Sequence, residues 1–287
     1  MDTMSLRFAS EVVEVVLLPE RGARLHRLTA FGHDLLRTPE SMAAYDHEPF
    51  FWGGFVMAPW CNRIEAQPAR VAGRTLDLTS NFADGTAIHG QVHALPWEVT
   101  PDGVMRVRAG GDGWPWRYEA TIRVTVEGPL LRMEHTLRNL EDEPMPAGIG
   151  IHPWFRQPLE VTIPADRVFA SNHSSRPDPQ PVSGSLDLRQ LQPMPADLDA
   201  TWVRRGHDPV ELRWPDVGVI ASLQAGPDAR FLCAASPSTV GYVAIEPQTH
   251  APNGLRRLLN GEPGGLALLD PAASLSLDVE MTFSPFE

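Results

Sequence analysis

A strict two-residue alternation restricts this chain more than any other feature. Tyr118, Ala120, Ile122, Val124 and Val126 alternate with Glu119, Thr121, Arg123 and Thr125, and after Glu127-Gly128-Pro129 the pattern resumes through Leu131, Met133, His135 and Leu137. A period of two puts the apolar side chains on one face of a pleated strand, and the turn residues between the runs predict a β-hairpin. The last segment repeats the pattern. Leu275, Leu277, Val279, Met281 and Phe283 share one face and Ser276, Asp278, Glu280 and Thr282 the other, so one side is expected to meet water.

Shorter β-like runs cover Val12 to Leu18, Ala23 to Ala30, Val104 to Ala109, Leu159 to Ile163, Val217 to Gln224, Phe231 to Ala235 and Tyr242 to Ile245. Helical periodicity is nearly absent, with one helical turn expected within Ser185 to Leu191. Because 28 prolines and 23 glycines are scattered between the runs, the connections read as turns and loops. That points to an all-β chain folded as a large antiparallel sandwich. A chain of 287 residues, 43% hydrophobic, can bury a sizeable core, and residues 1–287 are read as one domain. The stretch Ser171 to Pro195, rich in Ser, Pro, Asp and Gln, is read as a long loop rather than a linker, since β-like runs of similar composition flank it.

A formal net charge of -12 repels phosphate backbones and argues against a nucleic-acid partner. Neutral polar ligands fit better. Cys61 and Cys233 are the only cysteines, and their apolar neighbours Trp60 and Leu232 predict buried free thiols. Asp2 stands where a signal peptide would carry a base, and no apolar run reaches the roughly 20 residues needed to span a bilayer. A cytoplasmic protein without a membrane role is expected.

Chemistry concentrates in three islands: Asn62-Arg63-Ile64 with Ala87-Ile88-His89-Gly90, then Gly150-Ile151-His152-Pro153-Trp154-Phe155, then Ile245-Glu246-Pro247-Gln248. Alone, a histidine beside glycine or proline is more often a structural loop residue. Glu246 differs, because it closes an apolar run where a carboxylate is costly unless it is paired or functional. Two imidazoles and a carboxylate can open a hemiacetal ring, one group taking the proton of the anomeric hydroxyl while another protonates the ring oxygen. An ionised carboxylate and an imidazole near its midpoint are expected for those tasks.

In content and order the islands resemble those of the aldose 1-epimerases, or galactose mutarotases: Asn-Arg-Ile, Ile-His-Gly, Gly-x-His-Pro-aromatic-Phe, then a late Glu-Pro. Gly22-Ala23-Arg24-Leu25, Phe31 to Leu36 and Leu269-Asp270-Pro271 extend the resemblance over nearly the whole chain. It implies a galactose mutarotase-like supersandwich, a cofactor-free reaction and a monosaccharide substrate held in a cleft on one concave sheet. By the same resemblance His152 is the general acid, Glu246 the base and His89 a second imidazole near the ring oxygen. Arg63 binds ring hydroxyls and holds Glu246 ionised, Asn62 positions that arginine or its loop, and Asp199, in Leu198-Asp199-Ala200-Thr201-Trp202, binds sugar hydroxyls. Trp154 stands where the family has Tyr or Phe, beside the acid and suited to the C–H face of a pyranose. Ala272 replaces the family's glycine after Leu-x-Pro.

Competing readings are a hexose-6-phosphate 1-epimerase, which the intact Asn-Arg-Ile disfavours, and a non-catalytic carbohydrate-binding or sensing protein of the same fold. A glycoside hydrolase would need a second well-marked carboxylate. His89 and His93 have a helical metal-ligand spacing, but Gly90 and Leu95-Pro96 argue against a helix there, and no metal site is assigned. His250 is read as a surface or packing residue, although it lies near enough to Glu246 to line the cleft. His26, His33, His47, His135, His173 and His207 are read as surface or packing residues, as Trp52, Trp60, Trp97, Trp114, Trp116, Trp202 and Trp214 are read as packing.

Overall fold

The predicted hairpin forms as Trp114–Glu127 paired with Leu130–Asn139, in register from Tyr118 opposite Asn139 to Glu127 opposite Leu130. Gly128 and Pro129 remain as the loop, and Gly128 takes φ +54°, the left-handed region that glycine enters without a Cβ penalty. The final strand, Ser274–Pro285, pairs with the hairpin's second strand, Met281 facing Leu131 and Leu275 facing Leu137. Its Leu277, Val279, Met281 and Phe283 are buried and the intervening residues are largely exposed. Each such buried side chain contributes about 1.5–3 kcal/mol, which is enough to fix the register.

This computed structural model describes residues 4–172 and 178–286. Among them, two antiparallel sheets of eleven and nine strands contribute to one continuous apolar core, the all-β sandwich expected. Six adjacent strands of the larger sheet concern the site: β1 (Arg24–Ala30), β2 (Gly54–Met57), β3 (Gly150–Phe155), β4 (Asp199–Val203), β5 (Phe231–Ala235) and β6 (Val243–Gln248), ordered β1-β2-β3-β6-β5-β4 across the sheet. Strands β2, β3 and β6 are buried at every position. Val56, Ile151, Ile245 and Leu232 join the shared core. Alternation therefore directs Phe55, His152, Glu246 and Cys233 to the opposite face.

Several expectations shift. Glu246 lies inside β6, not at its end. Two short helices, Ala43–His47 and Gly254–Asn260, appear where no helical period is visible. The helical turn expected within Ser185 to Leu191 is a 3₁₀ turn at Gly184–Leu186. The long loop carries two brief strands, Gln180–Pro181 and Gln192–Pro193; its residues 173–177, His173 included, lie outside the described residues, as do Met1 to Thr3. Trp60, Trp114, Trp116, Trp202 and Trp214 are core residues as read, and both thiols are free and buried. Among the described residues no helix is long and apolar enough to cross a membrane.

Candidate active site

Strand register assembles the site. Leu25 pairs with Gly54, which sets Arg24 beside Phe55, and Phe55 pairs with His152. Gly150–Gln248 and Trp154–Ala244 bracket His152 against Glu246, Glu246 pairs with Cys233, and Cys233 with Thr201. Residues directly opposite in an antiparallel pair point to the same face with Cβ atoms about 5 Å apart. A single row, Arg24, Phe55, His152, Glu246, Cys233 and Thr201, therefore crosses six strands. Along it His152 Nε2 lies 3.2 Å from Glu246 Oε1, and the His152 ring stacks on Phe55 at 4.7 Å.

A second imidazole comes from outside the sheet. His89 follows the short strand Thr86–Ile88, its N–H donating to the Asn62 carbonyl at 3.0 Å, and its ring meets the His152 ring edge-on at 5.1 Å. His89 and Gly90 both have positive φ, +61° and +73°, and this reverse bend aims the ring at His152. Gly90 is required there. A Cβ would sit 2.0 Å from the Ala58 carbonyl oxygen, adding overlap to the 1–2 kcal/mol a left-handed non-glycine residue costs. Gly90→Ala is expected to destabilise the protein by about 3 kcal/mol or more, read by urea unfolding; a loss below about 1 kcal/mol would refute this account of the His-Gly pair.

These side chains line a cleft of about 400 Å³ with Phe50, Phe51, Asn62, Arg63, Phe82, Trp154, Asp197 and Asp199. Burial dominates its electrostatics. It pushes the Glu246 carboxyl up to about 8, helped by the charge of Asp199 and opposed by Cys233 and Arg63. It pushes the His152 imidazole down to about 3 and His89 well below its usual range. The ordinary carboxylate and half-titrated imidazole expected from sequence are thus both corrected, because neither residue reaches water. Three buried atoms of cleft residues, Glu246 Oε2, His89 Nδ1 and His152 Nδ1, have no hydrogen-bond partner, a cost that an incoming polar ligand can lower.

Arg63 reaches the cleft, but its Nε donates to Asp84 Oδ2 at 2.7 Å. Its pull on Glu246 is the smallest influence on that carboxyl, so the expectation that Arg63 holds Glu246 ionised is not met. Asn62 Nδ2 donates to Gln248 Oε1 at 3.2 Å and Gln248 Nε2 to the His250 carbonyl at 3.0 Å, tying the Arg63 loop to β6. His250 does not line the cleft. Its Nε2 accepts the Cys61 N–H at 2.9 Å. Trp154 Nε1 donates to the Phe50 carbonyl at 2.7 Å, which locks the ring 5.0 Å from His152. Among the described residues no three His, Cys, Asp or Glu side chains converge as metal ligands.

Sequence reasoning missed Asn172. Its Nδ2 donates to Asp199 Oδ1 and, at 3.0 Å, to Cys233 Sγ, while its Oδ1 accepts from Thr201 Oγ1 at 2.6 Å. It therefore joins Asp199 to the residue beside Glu246. Its only sequence signal is an Asn at the mouth of a long loop, too weak to single it out.

A family model described as aldose 1-epimerase matches residues 7–244, ending two residues before Glu246. Three solved structures show the same fold. The GalM/aldose epimerase homologue from C. elegans is 18% identical, with 99% of each chain covered and a TM-score of 0.85. A galactose mutarotase-like protein from Clostridium acetobutylicum is 18% identical, covering 98% of this chain and 95% of its own, at 0.82. Galactose 1-epimerase from Lactobacillus acidophilus NCFM is 15% identical, covering 99% and 95%, at 0.79. No curated protein matches the chain in sequence.

Proposed function

This chain belongs to the aldose 1-epimerase family, and from that premise we propose that it interconverts the α and β anomers of a free aldose by opening and reclosing the sugar ring. The observation that carries the reading is the contact between His152 Nε2 and Glu246 Oε1 in a buried cleft. Such a pair holds one proton to be passed between two sugar oxygens. Burial holds that proton on Glu246 at rest. It first passes across the 3.2 Å contact to His152 Nε2, after which the freed carboxylate takes the proton of the C1 hydroxyl while His152 delivers its own to the ring oxygen. The C1–C2 bond then turns by about half a rotation, and the reverse transfers close the ring on the other face of the aldehyde. His89 donates or accepts beside the ring oxygen. Arg63 and Asp199 hold ring hydroxyls, Asn62 fixes the Arg63 loop, and Trp154 lies against the C–H face of the pyranose.

A free sugar suits the lining better than a sugar phosphate. Arg63 is the only arginine or lysine among the described lining residues, is already engaged by Asp84, and stands with the carboxylates of Asp197 and Asp199. The test is the exchange of α and β signals of D-glucose and D-galactose by NMR. Acceleration over buffer is expected for at least one of them. Calorimetric binding of both sugars without any acceleration would refute catalysis in favour of a sugar-binding protein.

The pH dependence follows from the proton count. With the imidazole pushed down to about 3 and the carboxyl up to about 8, the pair keeps one proton between those limits. Above about pH 8 the proton leaves, the ring oxygen has no acid, and the exchange rate is expected to fall about tenfold per pH unit. A rate that stays level to pH 10 would contradict this assignment of the acid.

A further inference from the structure

Arg24 opens the cross-strand row but takes no part in the chemistry just described. It is 2% exposed, and among the described residues no carboxylate pairs with it. Nη1 donates to the Trp52 carbonyl at 2.8 Å, the guanidinium lies 4.8 Å from the Tyr45 ring centre and 5.0 Å from that of Phe55, and Nε has no partner. A buried cation without a counter-ion costs several kcal/mol. Ring faces recover only part of that cost.

Strand order determines what the charge acts on. Phe55 stands on β2, between Arg24 on β1 and His152 on β3, and stacks on the imidazole with an interplanar angle of 20°. The two ring contacts keep the guanidinium within about 10 Å of the imidazole, through apolar material that screens poorly. We propose that Arg24 is a positioning residue of the acid–base pair: a buried cation one ring removed from His152 that loosens the pair's hold on its proton and makes His152 a stronger acid towards the ring oxygen. The electrostatic influences agree, since Arg24 opposes the charged form of both His152 and His93. The groups facing the pair are His89, Asp199, Arg63 and the Cys61 and Cys233 thiols; those facing Arg24 are Tyr45, Arg21 and His93.

The inference rests on the proposed exchange reaction, and the test separates the two. The alkaline titration of the pair, about 8 in the native protein, is followed through the His152 ring signals by NMR and in parallel through the anomer exchange rate. Without the cation the proton is held more tightly, so Arg24→Met is expected to move the midpoint up by about half to one pH unit, a Coulombic shift at this separation. It should also slow exchange up to about tenfold. Arg24→Lys, which keeps the charge, should titrate as the native protein does. If Arg24→Met does not fold, Arg24→Gln is the neutral variant to measure. An unmoved midpoint in the folded neutral variant, or an equal shift in Arg24→Lys, would overturn the proposal. Native protein that does not accelerate exchange would overturn the reaction instead, and the ring signals would still decide the role of Arg24.

Discussion

Glu246→Gln is expected to slow anomer exchange by about 10²- to 10⁴-fold, and His152→Asn by a similar factor. The reason is the proton count. Ring opening needs one group to give a proton and another to take one, and these two are the residues in contact at 3.2 Å in the cleft. Each is useless without its partner, so the double variant should be little slower than either single one, the behaviour of groups acting as a unit. Glutamine matches the shape of a glutamic acid, and burial keeps the Glu246 carboxyl protonated to about pH 8; the variant should therefore fold with nearly native stability at neutral pH. Rates are read by NMR exchange or polarimetry on α-D-glucose and α-D-galactose. Native rates in both variants would refute the assignment of this pair.

Acid should unfold this protein over a narrow range. His93, His135, His152 and His250 are buried with imidazoles pushed down to about 3 or 4, burial being the main cause in each, and His89 is pushed well below its ordinary range. An unfolded chain protonates these rings near pH 6.5, whereas the folded chain does not, so their stabilisation is whole above pH 6.5 and disappears as pH falls towards 4. Each contributes about 1.4 kcal/mol per pH unit across that window. Glu246 acts with the opposite sign, because its carboxyl is pushed up to about 8 and its contribution is lost as pH rises from about 4.5 to 8. Five imidazoles outweigh one carboxyl, so stability should peak near pH 6.5 and fall by several kcal/mol per unit below it. His250 gives the local reason. Protonation would put a hydrogen on the Nε2 that accepts the Cys61 N–H. Urea unfolding between pH 4.5 and 8 measures this, and equal stability at pH 5 and 6.5 would rule out five neutral buried rings.

The sequence displayed the outer parts of the fold more plainly than its centre. Trp114–Glu127, Leu130–Asn139 and Ser274–Pro285 each bury one face and wet the other, so burial wrote a period of two into them. Strands β2, β3 and β6 are covered on both faces, and such strands carry no alternation to read. His89, His152 and Glu246 stood out through the company they keep in short motifs, and all three line one cleft. Arg24, Asn172 and Gln248 could not be read in the same way. Their roles depend on which residue stands opposite across a strand pair or loop, and chain order does not encode that. Arg24 left one trace, its place in Gly22-Ala23-Arg24-Leu25, a segment that extends the family resemblance. The glycine position held by Ala272 is a left-handed one, at φ +60°, so the turn survives the replacement with some backbone strain.

The row from Arg24 to Thr201 is held by the hydrogen-bond ladders of six neighbouring strands rather than by loops. Deleting one residue inside β3 or β6 would turn His152 or Glu246 away from its partner and abolish the reacting pair outright. Lengthening a rim segment such as the one that carries Asp197 would leave the pair in place. Under the proposed function, change of sugar preference and loss of chemistry would fall on different stretches of chain, so a lineage could alter the first at little risk to the second.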